Sequence, residues 1–120
     1  KLVLGRFCQI ADSVTFVTAS ANHRLDGFST FPFAIFEGLD MTRPSIPKGP
    51  FPDTVIGHDV WFGQGARILP GARIGSGSII GTGAVVGGTI PPYSVVAGNP
   101  GKVVRQRFDA LMKPRLLAGI

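Results

Sequence analysis

Few side chains in this 120-residue sequence are suited to chemistry: two histidines, one cysteine, one tryptophan and a small basic cluster near the C-terminal end. His23 sits in a Pro- and Phe-rich stretch, ANHRLDGFSTFPF, and His58 follows Ile56-Gly57. An imidazole exchanges protons near neutral pH, so either ring could serve as a general base toward a hydroxyl, or simply satisfy its surroundings by hydrogen bonding. Asp26 is close enough in sequence to His23 to be a partner, and equally reads as an exposed turn aspartate. Cys8 could be a nucleophile, but it has no neighbouring histidine in sequence and occupies a position that reads as small and inward, which favours an inert thiol. Lys102, Arg105 and Arg107 form a modest cluster of cations, of which Lys102 and Arg105 could meet phosphate groups; a solvated basic helix start reads equally well.

The elements that would hold these groups follow from a repeat. From residue 56 the chain runs IGHDVW, FGQGAR, ILPGAR, IGSGSI, IGTGAV, VGGTIP. The first place is Ile56, Phe62, Ile68, Ile74, Ile80 and Val86; the second is glycine in every hexad but one, where Leu69 stands. The fifth is Val60, Ala66, Ala72, Ser78, Ala84 and Ile90. A period of six suits no helix, and it does fit one short strand plus a corner, with an aliphatic side chain inward and a small residue where the coil narrows. Three such faces close a triangular coil, and stacked coils bury each other's cores. Residues 4–21 carry a weaker block with Leu4, Ile10 and Phe16 inward and Cys8, Val14 and Ser20 at the small places. The blocks are out of phase, so residues 22–54 read as an excursion loop, ordered by Phe28, Phe31, Phe33, Phe36 and Phe51. The repeat closes at residue 102, and residues 103–117 read as a C-terminal helix that Pro114 ends or kinks and that caps the open end. The fold class is therefore all-β, one β-helix domain over 1–120.

Composition narrows the function. Seventeen glycines and ten prolines speak against a helical bundle, and no apolar run is long enough to span a bilayer. The net charge of +5 is scattered, with no zinc-finger spacing and no aromatic RNA-binding motif, so neither nucleic acid nor membrane is an expected partner. A single cysteine permits no internal disulfide, and a reducing cytoplasm is the expected setting. The sequence starts at Lys1 without Met and directly in an apolar stretch, which reads as part of a longer protein.

The repeats, DVWFG (59–63) and YSVVAGNPGK (93–102) resemble hexapeptide-repeat acyltransferases, and ANHRLDGFSTFPF (21–33) is similar to the xenobiotic acetyltransferases among them, which include streptogramin and chloramphenicol acetyltransferases. The resemblance covers nearly the whole chain. It implies a left-handed parallel β-helix, a homotrimer with active sites between subunits, and a segment preceding the point where this sequence begins. It further implies acetyl transfer from acetyl-CoA to a hydroxyl of a hydrophobic acceptor such as an antibiotic, without metal, with His23 as catalytic base. In the same reading Trp61, Gly63, Gly83, Lys102 and Arg105 meet the cofactor, and Phe31, Pro32 and Phe33 meet the acceptor. Phe62 stands where the family more often has Ile, a core change. Acyl transfer to a sugar or an amino acid, a non-catalytic β-helix module and a β-helical zinc anhydrase are the alternatives; two histidines separated by a long loop suit the last poorly.

Overall fold

The computed structural model describes residues 1–17, 52–109 and 112–118, all within one unit of the chain. Hexad by hexad, two-residue strands alternate with corners. The first turn of the coil is β1 (Leu2–Leu4), β2 (Gln9–Ile10) and β3 (Thr15–Phe16); the second is β4 (Thr54–Ile56), β5 (Trp61–Phe62) and β6 (Arg67–Ile68). The third is β7 (Arg73–Ile74), β8 (Ile79–Ile80) and β9 (Val85–Val86), and β10 (Thr89–Ile90) with β11 (Ser94–Ala97) begins a fourth. Each strand pairs in parallel with its counterpart one coil away, giving three sheets ordered β1-β4-β7-β10, β2-β5-β8-β11 and β3-β6-β9. The weak N-terminal block is thus in the register the sequence implied: Leu4 pairs with Ile56, Ile10 with Phe62 and Phe16 with Ile68.

The core is the stack of first-place side chains. Ile56, Ile74 and Ile90 line one sheet, Phe62, Ile80 and Val96 the next, and Ile68 with Val86 the third, all buried. Val60, Ala66, Ala72, Ser78 and Ala84 fill the narrowing corners without exposure. Ser78 is tolerated there because its hydroxyl donates to the Pro91 carbonyl at 3.2 Å and accepts the Ser94 N–H at 3.3 Å. At Gly57 an added Cβ would stand 2.6 Å from the Ser76 nitrogen of the next coil, so close stacking, not turning, demands the glycine. Among the described residues no coil lies beneath the first, and Leu4 and Ile10 are each 44% exposed although they pair with buried Ile56 and Phe62.

Three expectations need correction. Ile90 is not a small fifth-place residue; it pairs with Ile74 and is a first-place core residue. Ile56 to Ile74 is eighteen residues but Ile74 to Ile90 only sixteen, because Gly87-Gly88 makes a tighter third corner. Thr54 belongs to the coil, not to the excursion: it is buried in β4, and its Oγ1 accepts the Gly71 N–H at 3.0 Å. Finally, residues 103–117 are not one helix. Lys102–Gln106 is a strand, β12, antiparallel to β11, and the helix α1 is only Met112–Ala118. The edge of β11 offers unpaired backbone groups that Lys102, Val103, Arg105 and Gln106 meet in extended form, which outweighs a loosely helical apolar spacing. The carboxylate and carbonyl of Asp109 both accept the Met112 N–H, marking the helix start, so Pro114 falls in the first turn, where a missing N–H costs no intrahelical bond.

Candidate cofactor groove

The second sheet, completed by β12, carries the groups of interest. Arg105 pairs with Val95, Val95 with Ile79, Ile79 with Trp61, and Trp61 with Gln9. These residues form one row across the outer face, because paired residues share a face of the sheet and Trp61, Ile79 and Val95 each flank a buried first-place residue along their own strands. At about 4.8 Å per strand, Trp61 and Arg105 stand roughly 14 Å apart on the same surface. Trp61 is 53% exposed, an unusual position for a large apolar ring unless something covers it. Lys102 pairs with Ala97 where β12 enters the sheet, and it too is exposed.

One border of this face is the second corner of the coil. Gly65 and Gly83 lie there with φ of 73° and 70°, and nothing stands within 4 Å of where a Cβ would project. In these two coils the corner presents bare backbone, whereas Ser13 holds the equivalent place in the first. At Gly63, by contrast, an added Cβ would meet the Thr82 nitrogen at 2.6 Å, so coil stacking by itself requires glycine there.

The structure therefore brings Trp61, Gly83, Lys102 and Arg105 to one face and its border. His23, Phe31, Pro32 and Phe33, like Asp26, lie outside the described residues. The segment that carries them joins the coil after Val17 and returns by Pro52, in place of the third corner of the first coil. Cys8 is half-buried, with its thiol directed at the Gly57 carbonyl at 3.4 Å. His58 is half-buried at the first corner, where its Nδ1 accepts the Arg6 N–H at 2.7 Å and its own N–H donates to Ser76 Oγ at 2.9 Å. Among the described residues no three of His, Cys, Asp and Glu come together as a metal site, and no helix is long and apolar enough to cross a membrane. A cavity of about 620 Å³ opens beside His58, and its wall includes Arg6, Phe7, Arg107 and Arg115, residues the sequence reading gave no binding role. They lie far apart in sequence, and only the stacking of coils collects them.

The model for bacterial transferase hexapeptide (six repeats) matches residues 53–88, which include Trp61 and Ile79 of the row. The chain belongs to the hexapeptide transferases. This hexapeptide transferase is 48% identical to a probable macrolide acetyltransferase of Lysinibacillus sphaericus over 91% of its own length and 62% of the relative's. It is 42% identical to a chloramphenicol acetyltransferase of Agrobacterium fabrum over 91% of its length and 53% of the relative's. It is also 48% identical to a virginiamycin A acetyltransferase of Staphylococcus aureus over 91% and 50%. The chain thus spans between half and three-fifths of the curated relatives it matches. Among solved structures, a galactoside acetyltransferase in complex with coenzyme A superposes with a TM-score of 0.55 at 25% identity, covering 90% of this hexapeptide transferase and 56% of that chain. The resemblance drawn from the repeats and from ANHRLDGFSTFPF is thus matched by relatives of the same kind.

Proposed function

We propose that the protein is an acetyl-CoA-dependent O-acetyltransferase acting on a hydroxyl of a hydrophobic acceptor, of the chloramphenicol or streptogramin A class. The observation that carries the cofactor half of this reading is the single outward row holding Trp61 and Arg105, bordered by the bare backbone at Gly83. A long, thin thioester needs such a surface: an aromatic face for its arm, close backbone approach, and cations at its phosphorylated end. Lys102 and Arg105 supply the cations, and Trp61 the contact with the arm. The relatives' names supply the acceptor class.

In the reaction His23 takes the acceptor's hydroxyl proton as the oxygen forms its bond to the thioester carbonyl carbon. The tetrahedral adduct collapses, the carbon–sulfur bond breaks, and the imidazolium returns its proton to the departing thiolate. No covalent enzyme intermediate enters. Phe31, Pro32 and Phe33 form the apolar wall for the acceptor. The coil winds left-handed, and a homotrimer places each cofactor groove against a neighbouring subunit that completes the acceptor site.

The test is free-thiol release by the intact protein with acetyl-CoA and, in separate arms, chloramphenicol, a streptogramin A and a galactoside. Release with either antibiotic, reduced about 10²- to 10⁴-fold in His23→Ala, is the expected result. Release only with the sugar would move the acceptor class, and no release with any hydroxyl acceptor would overturn the reading. Undiminished transfer by His23→Ala would remove the base.

A further inference from the structure

The first corner of the coil, opposite in character to the cofactor border, gathers cations and rings around the cavity of about 620 Å³. Its αL column runs Phe7, Asp59, Gly77 and Tyr93, with φ of 62°, 54°, 74° and 57°. Phenylalanine is a poor choice for that backbone conformation, and Phe7 is 79% exposed, so neither conformational preference nor core packing accounts for it. The Gln9 side-chain amide holds this corner, donating to the Phe7 carbonyl and, at 3.2 Å, to Asp59 Oδ1.

Three arginines, Arg6, Arg107 and Arg115, share the cavity wall with one acidic residue, Asp59. None of the three arginines is in an ion pair among the described residues. Arg107 is fixed in place: it donates to the Gly77 carbonyl at 2.6 Å and lies over Tyr93 and Phe108, 5.8 and 5.0 Å from their ring centroids. That bond uses one of the five N–H donors of the guanidinium. Because His58 Nδ1 accepts the Arg6 N–H, the neutral ring carries its proton on Nε2, a further donor. The wall thus offers an excess of positive donors with a bare aromatic ring at its edge.

We infer that this corner is a binding site for a small aromatic anion, a flat ring bearing a phosphate or carboxylate, whose ring stacks on Phe7 and whose acid group is received by Arg6, Arg107 and Arg115. A purely inorganic anion would leave Phe7 uncovered, and a neutral aromatic would leave the guanidiniums unpaired; the joint requirement gives the site its selectivity. The site is independent of the acetyl-transfer reading, and it lies at a different corner of the coil from Gly83.

Calorimetric titration of the intact protein with adenosine monophosphate and, separately, 4-hydroxybenzoate tests it, first without CoA and again with saturating CoA so that the cofactor groove is filled. Binding of at least one at about 1 mM or tighter, with adenosine and inorganic phosphate at least tenfold weaker, is expected. Phe7→Ala and Arg115→Glu alter exposed side chains, so both variants should keep the wild-type unfolding midpoint while weakening the bound anion by about fivefold or more each. Binding that is lost when CoA saturates the protein, or that both variants leave unchanged, overturns the inference, as does no binding of either anion. Thiol release is read separately, so a protein that fails as an acetyltransferase can still pass or fail this test.

Discussion

Two corners of one coil adopt the same left-handed backbone and present opposite surfaces. At the second corner Gly65 and Gly83 leave the backbone bare. At the first, Phe7, Asp59 and Tyr93 carry side chains at equivalent places and build walls. The six-residue repeat fixes backbone shape but not what projects from it, so a single scaffold supplies an open border suited to a long, thin ligand and a walled, half-open cavity suited to a compact one. The same contrast recurs along the axis, where inner coils bury what the first coil exposes.

Substitutions can sharpen both contrasts. The largest effect belongs to the axis. Phe62→Ala removes a fully buried ring that meets Phe16 edge-on at 5.4 Å, and should cost about 3–5 kcal/mol in denaturant unfolding. Ile10→Ala, in the paired position one coil below but 44% exposed, should cost less than about half of that. Equal losses would mean that the first coil is covered as fully as the second. Between the corners, Gly77→Ala drives a Cβ to within 2.1 Å of the buried Tyr93 ring and should cost about 2–5 kcal/mol, since overpacking adds to the left-handed backbone penalty. Gly65→Ala meets nothing within 4 Å and should show the backbone penalty alone, about 1–2 kcal/mol. If the two variants unfold alike, the first corner is not packed as described.

Much of this coil is legible in the sequence, because an inward aliphatic followed by glycine every six residues leaves little else to build. Even the weak block at Leu4, Ile10 and Phe16 lies in register. Two features resisted reading for physical reasons. Gly87-Gly88 shortens a corner by two residues, and glycine continues the apparent frame through the deletion, so Ile90 looked like a corner residue when it is core. The stretch after Lys102 has apolar residues spaced for either a helix or an edge strand, and only the unpaired edge of β11 decides for the strand. Of the groove, Trp61, Lys102 and Arg105 could each be singled out by type and motif. That Trp61 and Arg105 share one row is a product of pairing between coils, as is the collection of Arg6, Phe7, His58 and Arg115 around one cavity. Neighbourhood in sequence announces neither.

The account depends most on the outer face of the second sheet holding CoA. Its most direct test is the dissociation constant for CoA in Trp61→Ala and Arg105→Glu, measured beside the wild-type protein. Each substitution should weaken CoA by about tenfold, the equivalent of some 1.4 kcal/mol, while the unfolding midpoint stays in place, because both side chains are exposed. CoA binding that neither substitution changes would contradict the assignment of that face.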